Sequence, residues 1–340
     1  MLNFKCPKFK SMNTIVGVAL GGFTSENNIS KKSGNAVFNA LQKSPFDVFK
    51  INITRKDWSV SDRSGNVFKL NKGDFSFVKN GVSINFDVIV NMIHGAPGEN
   101  GQLAGMLELL KIPQTSCSSY VAALTYNKRD CLAVARSSKI PTASFFTLDQ
   151  GDEFTIEEIE KVVGFPCFVK ANRAGSSFGV SKVYTPEELP SAIEKSFEED
   201  NQILIETALE GREFSVGVCK WKNKINVLPI TEIISENDFF DYEAKYEGKS
   251  REITPAKIPE EWEKTLVGLS KKIYKQMGLE GVVRSEFIFE NGIPHLLEIN
   301  TIPGMTLESL IPQQLEAGGI SLTEFMEELI SETMKKKEYL

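Results

Sequence analysis

The chain has only two histidines in 340 residues, His94 and His295, and its five cysteines are scattered without a Cys-x-x-Cys pair. So few histidines exclude a histidine-rich zinc site. An odd number of scattered cysteines is typical of reduced thiols in a cytosolic protein. We therefore expect a cytoplasmic protein that needs no disulfide for folding.

The sequence also lacks long apolar runs, internal repeats and a Walker A motif. No apolar stretch approaches the roughly 20 residues that a membrane-spanning helix needs, so we expect no membrane association. A net charge of -6 argues against a general nucleic-acid-binding protein. With 41% hydrophobic and 25% charged residues, the chain has the composition of a globular protein, and its length predicts two or three α/β units.

The first third of the chain reads as a small open α/β domain. Near-continuous apolar runs at Thr14–Leu20 and Phe86–Ile93 are typical of buried parallel strands, and Asp47–Ile53 predicts another strand between them. The segments Val67–Leu70 and Phe75–Val78 are interpreted as a small hairpin insert. Glycines follow the two apolar strands, at the strand ends where such sheets bind ligands.

From about residue 118 the pattern changes. We predict one long helix over Tyr120–Ser137, an acidic helix over Ile156–Val163, and then strands that look antiparallel. The chain is therefore divided into three domains, over residues 1–117, 118–206 and 207–340, with a long polar loop over 235–255 in the last one.

Two neighbouring strands near the C-terminus carry polar residues at alternate positions. Glu298 and Asn300 share one face of their strand, and Arg284 and Glu286 share one face of the preceding strand. Two carboxylates and an amide suit Mg²⁺ that keeps water and phosphate ligands. An exposed polar face of an antiparallel sheet is the other interpretation that this pattern allows.

The turn between these strands decides whether the polar side chains meet. A two-residue turn at Asn291-Gly292 would place Glu286 opposite Leu297, and the two glutamates would then face opposite ways. A three-residue turn over 290–292 brings all four polar side chains to one face. The sequence therefore predicts the three-residue turn.

Two loops have the composition of nucleotide-binding elements. Lys170 is followed by the small residues Gly175-Ser176-Ser177, whose backbone N–H groups could approach phosphates closely, although a plain hairpin turn has the same composition. The segment Phe239–Tyr246 places aromatic and charged residues in the long polar loop, and such loops are often lids. It could equally be a surface loop with buried aromatic side chains. His94 and Glu26 lie just after strands, where a structural histidine and a solvated glutamate are the alternatives to a ligand site.

In this order, these segments resemble the D-alanine–D-alanine ligase family. The matching stretches are Gly21-Gly22 with Thr24–Glu26, His94–Gly101, Lys170 with Gly175–Ser177, Asp241–Tyr246, Arg284 and Glu298–Thr306. The resemblance implies the ATP-grasp fold, with three domains around a nucleotide cleft. It also implies a reaction for peptidoglycan synthesis in which ATP phosphorylates the carboxylate of one D-alanine. The amine of a second D-alanine then attacks this acyl phosphate, which gives the dipeptide, ADP and phosphate.

The resemblance also implies roles for individual residues. ATP is expected to contact Lys128, Lys170, Ser176, Ser177, Glu206, Thr207, Leu209, Glu213 and Lys245. Two Mg²⁺ ions, which Mn²⁺ can replace, are expected at Glu286, Glu298 and Asn300. The first substrate is expected at Glu26 and His94, and the second at Ser309 and Leu310. Catalysis is expected to depend on Glu26, Ser176, Tyr246, Arg284 and the N–H of Gly304.

Some positions depart from the family pattern. Glu286 stands where many relatives have aspartate, Phe240 where tyrosine is common, and Ala171 where proline is frequent. The presence of Tyr246 resembles the branch of the family that uses D-alanine rather than D-lactate.

The rival interpretations are an ATP-grasp ligase for another acid and amine, and a non-catalytic nucleotide-binding protein. The second would predict loss of Arg284, Lys245 or a metal ligand, and all are present. A homodimer is the default expectation for assembly.

Overall fold

A computed structural model describes residues 14–175, 179–235 and 250–335, which form three β-sheets flanked by helices. The first sheet contains β1 (Ile15–Gly21), β2 (Asp47–Ile53), β3 (Trp58–Ser61), β4 (Val67–Asn71), β5 (Ser76–Lys79), β6 (Val82–Ile84) and β7 (Val88–Asn91). Its strand order is β6-β5-β4-β3-β2-β1-β7, parallel across β2-β1-β7 and antiparallel from β2 to β6. The expected hairpin insert is thus an extension of the same sheet through β3, a strand that the sequence analysis missed.

The parallel part of this sheet positions the first ligand loop. β1 is the central parallel strand, and every residue from Val16 to Gly21 is buried. Gly21 and Gly22 then adopt φ values of 103° and 105°, where a side chain would be strained. Helix α1 (Asn27–Leu41) follows, and helix α2 (Gln102–Leu109) comes after β7. The chain therefore turns sharply at the end of β1 and places Glu26 at the start of α1.

The second sheet is antiparallel. It contains β8 (Phe145–Asp149), β9 (Cys167–Ala171), β10 (Ser181–Val183) and β11 (Gln202–Thr207), in the order β10-β9-β11-β8. Helices α5 (Ile156–Val163) and α6 (Leu189–Phe197) lie within this part of the chain.

The predicted single helix over Tyr120–Ser137 is wrong. The structure has two helices, α3 (Ser119–Tyr126) and α4 (Lys128–Ser137), separated at Asn127. The Asn127 backbone is extended, and its side chain accepts a hydrogen bond from the Asp130 N–H at 3.1 Å, which caps α4. Lys128 consequently becomes the first residue of a helix, where the backbone N–H groups favour anions.

The third sheet carries the predicted metal site. It contains β12 (Arg212–Trp221), β13 (Lys224–Val227), β14 (Thr231–Ser235), β15 (Ser250–Ile253), β16 (Val282–Glu290) and β17 (Ile293–Asn300). Its order is β15-β14-β12-β16-β17, with β13 paired to β12. Helices α7 (Glu260–Gln276), α8 (Leu310–Ala317) and α9 (Leu322–Met334) complete the described chain. α9 packs on α1 through one core cluster that includes Val37, Phe38, Met326 and Leu329. The C-terminal helices therefore hold the first and third sheets together.

The predicted turn between β16 and β17 is also wrong. Glu290 pairs with Ile293, so the turn has two residues, Asn291 and Gly292, with φ values of 50° and 82°. Two left-handed residues are what a type I′ hairpin requires. The polar residues nevertheless meet, because the register shifts after Glu286 and leaves Leu297 unpaired in a β-bulge.

Among the described residues, no helix is both long enough and apolar enough to cross a membrane.

Candidate active site

One cleft gathers the predicted substrate and oxyanion residues. It has a volume of about 1380 Å³ and lies where loops of the first sheet face the third sheet. Its lining includes the predicted residues Glu26, His94, Lys128, Arg284, Glu298, Asn300, Gly304, Ser309 and Leu310. Residues from opposite ends of the sequence thus meet in one place.

Glu26 is held closely by backbone from two domains. Glu26 is buried, with 8% of its surface exposed. A Cβ atom on Gly175 would lie 2.6 Å from Glu26 Oε1, and one on Gly95 would lie 3.1 Å from Glu26 Oε2. Only glycines permit this approach without displacing the carboxylate. The result is an enclosed negative charge that suits a substrate ammonium group.

Two serines of α1 hold His94 in place through hydrogen bonds. Its backbone N–H donates to Ser30 Oγ at 2.9 Å, and its Nε2 lies 3.1 Å from Ser33 Oγ. Burial and the nearby Arg284 guanidinium lower the pKa of His94 to about 4, although a hydrogen bond to the Ile302 backbone opposes this. The ring is therefore neutral near pH 7. If it contacts a substrate carboxylate, as expected from the sequence, the contact is a hydrogen bond and not a charge pair.

Two further acidic residues line the cleft and were missed by the sequence analysis. Glu99 accepts a hydrogen bond from the Gly95 N–H at 2.7 Å, and burial together with the Glu26 charge raises its pKa to about 8. Glu252 accepts from Gln313 Nε2 at 2.7 Å, and burial raises its pKa as well. Glu99 lies inside the matching stretch 94–101, but no local pattern shows that it will face Glu26.

Lys128 connects the cleft to the second sheet. Its Nζ donates to the Ala174 carbonyl at 2.7 Å and lies 3.6 Å from Glu298 Oε2. The buried Asn172 fixes the start of α4, because its carbonyl and its side-chain oxygen accept from the N–H groups of Lys128 and Arg129 at 3.2 and 2.8 Å. This places a cation between the loop that begins at Ala174 and the polar face of the third sheet.

The predicted metal ligands lie side by side on that face. Glu286 pairs in register with Glu298, and Arg284 pairs with Asn300. Asn300 Nδ2 donates to Glu298 Oε1 at 3.4 Å, and Arg284 Nε lies 3.1 Å from Glu286 Oε1. In the described part of the chain, no three histidine, cysteine, aspartate or glutamate side chains form a metal-binding group, so the set needs the Asn300 amide as its third member. Two carboxylates and an amide oxygen fit the chemistry of a hard divalent cation.

Lys128 lines the cleft, whereas the other described residues expected on the nucleotide side lie on β9, β11 and β12 and in the segment between β11 and β12, outside this lining. Lys170 Nζ and Glu206 Oε2 form an ion pair of 2.5 Å, with side chains 13% and 5% exposed. Thr207 Oγ1 donates to the Val163 carbonyl, and Leu209 and Glu213 are half-buried. Ser176, Ser177, Lys245 and Tyr246 lie outside the described residues, as does Phe240.

The loop before α8 is tightly folded against its helix. A Cβ atom on Gly304 would lie 2.7 Å from Ser309 Oγ. Ser309 in turn accepts from the Thr306 N–H at 3.2 Å and donates its own N–H to the Thr306 carbonyl at 2.9 Å. The Ser309 Oγ also lies 2.9 Å from Thr306 Oγ1, so the hydroxyl can donate to a ligand only when Thr306 Oγ1 donates to it. The Ser309 N–H is already bonded, which leaves the Leu310 N–H at the start of α8 to meet a ligand.

Comparisons with known proteins show which family the chain belongs to. A family model described as D-ala D-ala ligase N-terminus matches residues 15–117, and one described as D-ala D-ala ligase C-terminus matches residues 134–331. The chain is 51% identical over 307 residues to a D-alanine–D-alanine ligase of Flavobacterium johnsoniae, covering 90% of this chain and 95% of that protein.

Solved structures show the same likeness. D-alanyl-alanine synthetase A of Vibrio cholerae has a TM-score of 0.85 and 29% identity, covering 95% of this chain and 99% of that one. The D-alanine–D-alanine ligase of Bacillus anthracis in complex with ATP has a TM-score of 0.77 and 26% identity, covering 96% and 99%. The solved relatives have the ATP-grasp fold, as the sequence predicted. The chain belongs to the D-alanine–D-alanine ligase family.

Proposed function

We propose that this protein joins two D-alanine molecules into D-alanyl-D-alanine at the cost of ATP, as a step toward peptidoglycan. One observation carries the proposal. A single cleft brings the enclosed carboxylate of Glu26, suited to an ammonium group, together with the face of Arg284, Glu298 and Asn300, suited to a phosphorylated carboxylate. The names of the relatives support D-alanine and ATP as the substrates.

The first D-alanine binds with its ammonium group at Glu26 and its carboxylate toward the interior of the cleft. His94 supports this end as a neutral hydrogen-bonding group. Transfer of the γ-phosphoryl group to the carboxylate needs alignment and charge neutralisation rather than a protein nucleophile. Arg284 and the Gly304 N–H are positioned in the same lining to stabilise the negative charge that develops on the substrate oxygen.

The phosphates of ATP lie at Lys128 and Lys170, with Ser176, Ser177 and Lys245 as further contacts proposed from the sequence. Glu206, Thr207, Leu209 and Glu213 form the side that takes adenine and ribose. Glu286, Glu298 and Asn300 hold two Mg²⁺ ions, which Mn²⁺ can replace. Bound there, the ions would supply neutralisation of the phosphate charge.

The second D-alanine binds at the start of α8. The Leu310 N–H and the Ser309 hydroxyl hold its carboxylate, because the N-terminus of a helix favours anions. Its amine then faces the acyl phosphate. Tyr246, with Glu26 and Ser176, closes the site according to the sequence, and it favours an amine over a hydroxyl acceptor.

The three sheets support the proposed domains over residues 1–117, 118–206 and 207–340.

A homodimer is proposed as the assembly. Leu109 on α2 and Tyr120 on α3 are 87% and 72% exposed, and these two helices pack together. Exposed apolar groups on adjacent helices suit a symmetric contact. Sedimentation of the purified protein tests this, and a monomer at all concentrations would contradict it.

The decisive experiment measures phosphate release from ATP and Mg²⁺ with D-alanine, with L-alanine, and with D-alanine plus D-lactate. Release with D-alanine alone, together with a dipeptide product, is expected. Release that requires a different acid or amine would refute D-alanine as the substrate but keep the ligase chemistry. No ATP turnover with any acid–amine pair would refute the proposal as a whole.

A further inference from the structure

Ser33 connects two walls of the cleft. It lies on the buried face of α1 and is 0% exposed. Its Oγ lies 3.1 Å from His94 Nε2 and accepts a hydrogen bond from the Met305 N–H at 3.3 Å. A serine inside an amphipathic helix carries no motif, and the sequence analysis gave it no role.

The Met305 N–H fixes the direction of one of these two hydrogen bonds. A backbone N–H can only donate, so Ser33 Oγ is the acceptor in that contact. The hydroxyl proton is then available to His94 Nε2, which accepts it when the ring is neutral. With the ring proton on Nδ1, Nε2 accepts the Ser33 proton and the ring can donate to the Ile302 backbone, the hydrogen bond that acts to raise the pKa of His94.

The segment 302–305 is thereby held at two points. Ile302 is bonded to the His94 ring, and Met305 is bonded to the Ser33 hydroxyl. Gly304 lies between these anchors and packs so closely on Ser309 that a Cβ atom would come within 2.7 Å of its Oγ. The direction of the Gly304 N–H therefore depends in part on Ser33, which is not among the residues that line the cleft.

We propose that Ser33 is a positioning residue that sets the Gly304 N–H for the developing oxyanion and fixes the Nδ1–H tautomer of His94. The inference rests on the proposed function, because Gly304 acts on an acyl phosphate only if the chain makes one. Oxyanion donors act through preorganisation, so a small displacement of such a donor lowers the rate.

Ser33→Ala tests the role, with Ser270→Ala as its matched control. Ser270 is also 0% exposed and helical, on α7, and its hydroxyl has no hydrogen-bond partner among the described residues. We expect Ser33→Ala to lower kcat by about 10- to 100-fold, somewhat less than removal of an oxyanion donor itself. The KM for ATP should change by less than about twofold, since Ser33 is not among the residues expected to contact ATP. Ser270→Ala should leave both constants unchanged.

The tautomer is measured directly by nitrogen NMR of the imidazole rings. The chain has only two histidines, and His295 on β17 serves as an internal reference. We expect the wild-type His94 signals to show the Nδ1–H tautomer at pH 7. Ser33→Ala should change the His94 signals, because Nε2 loses its donor, and should leave those of His295 in place.

Each arm can overturn the proposal. An unchanged kcat in Ser33→Ala, or equal losses in Ser33→Ala and Ser270→Ala, would refute the positioning role. An Nε2–H tautomer in the wild type would refute the hydrogen-bond chain, even if Ser33→Ala failed to fold. Absence of phosphate release from the wild type with D-alanine would refute the proposed function and the oxyanion part of this inference with it. The NMR arm needs no substrate, so the two failures are distinguishable.

Discussion

Glu286 and Glu298 face each other across the β16–β17 hairpin because Leu297 bulges out of the register between them. With the two-residue turn at Asn291 and Gly292, an unbroken ladder would have placed Leu297 opposite Glu286. The bulge restores the pairing of Glu286 with Glu298, and beyond it Arg284 pairs with Asn300. One unpaired residue thus creates the oxygen-rich face that the proposed metal site needs.

Glu298→Gln should lower kcat by at least about 100-fold, since even the loss of an outer partner of a metal ligand costs 10- to 100-fold. The Mg²⁺ concentration required for half-maximal rate should rise. Phosphate release at varied Mg²⁺ measures both effects. Glu263→Gln on the exposed surface of α7 is the control. An unchanged Mg²⁺ dependence in Glu298→Gln would refute the ligand assignment.

Gly175→Ala should raise the KM for the first D-alanine by about tenfold or more, equivalent to roughly 1.4 kcal/mol. The added Cβ would lie 2.6 Å from Glu26 Oε1 and would displace the carboxylate. Gly268→Ala is the control, because Gly268 lies on α7 with open space around its Cβ position. That change should stabilise the protein by about 0.5–1 kcal/mol and leave the KM as it is. Equal KM values for both variants would contradict the prediction.

Lys170→Met should destabilise the free enzyme by about 3 kcal/mol, because it leaves Glu206 charged and buried. The double variant Lys170→Met with Glu206→Gln should recover most of that stability, since no uncompensated charge remains. It should not recover the affinity for ATP if Lys170 contacts a phosphate. Urea unfolding and the KM for ATP separate the two effects. Recovery of both quantities in the double variant would show that Lys170 acts only as the partner of Glu206.

The contribution of Glu99 to the stability of the ligand-free protein should fall as the pH rises from about 5 to about 8, whereas His94, whose pKa is lowered from 6.5 to about 4, contributes in the opposite direction below about 6.5. The net free energy of unfolding should therefore fall between about pH 6.5 and 8. The pKa of Glu99 is raised from 4.5 to about 8, so in this window the folded protein holds a proton that the unfolded chain has lost. The loss from this group is at most about 1.4 kcal/mol per pH unit. Glu99→Gln should remove this contribution, because glutamine is neutral throughout and still accepts from the Gly95 N–H.

Urea unfolding of the wild type and of Glu99→Gln across that pH range measures the difference, with Glu263→Gln again as the control. Parallel pH curves for the wild type and Glu99→Gln would show that the Glu99 carboxyl ionises normally.

The sequence determined the elements whose signal is local. β2 (Asp47–Ile53) and α5 (Ile156–Val163) have the predicted bounds, because side-chain periodicity and a capping box at Thr155 are local features. The family, the fold class and the ligase activity predicted from the ordered motifs are confirmed by the comparisons. Each of these elements and motifs depends on residues only a few positions apart, and the order of the motifs along the chain can also be read from the sequence.

The tertiary structure decided the features that join distant residues. The break at Asn127 places Lys128 at the start of a helix. The β-bulge at Leu297, and not the length of the turn, pairs Glu286 with Glu298. The raised pKa of Glu99 depends on Glu26, and the neutral ring of His94 depends on burial and Arg284. The burial of a single polar side chain such as Glu99 or His94, and the charges that surround it, leave no periodicity in the sequence, since they arise only when separate elements pack together. For that reason most residues of the candidate site can be predicted from the sequence, whereas their pKa values and the distances between them depend on the fold.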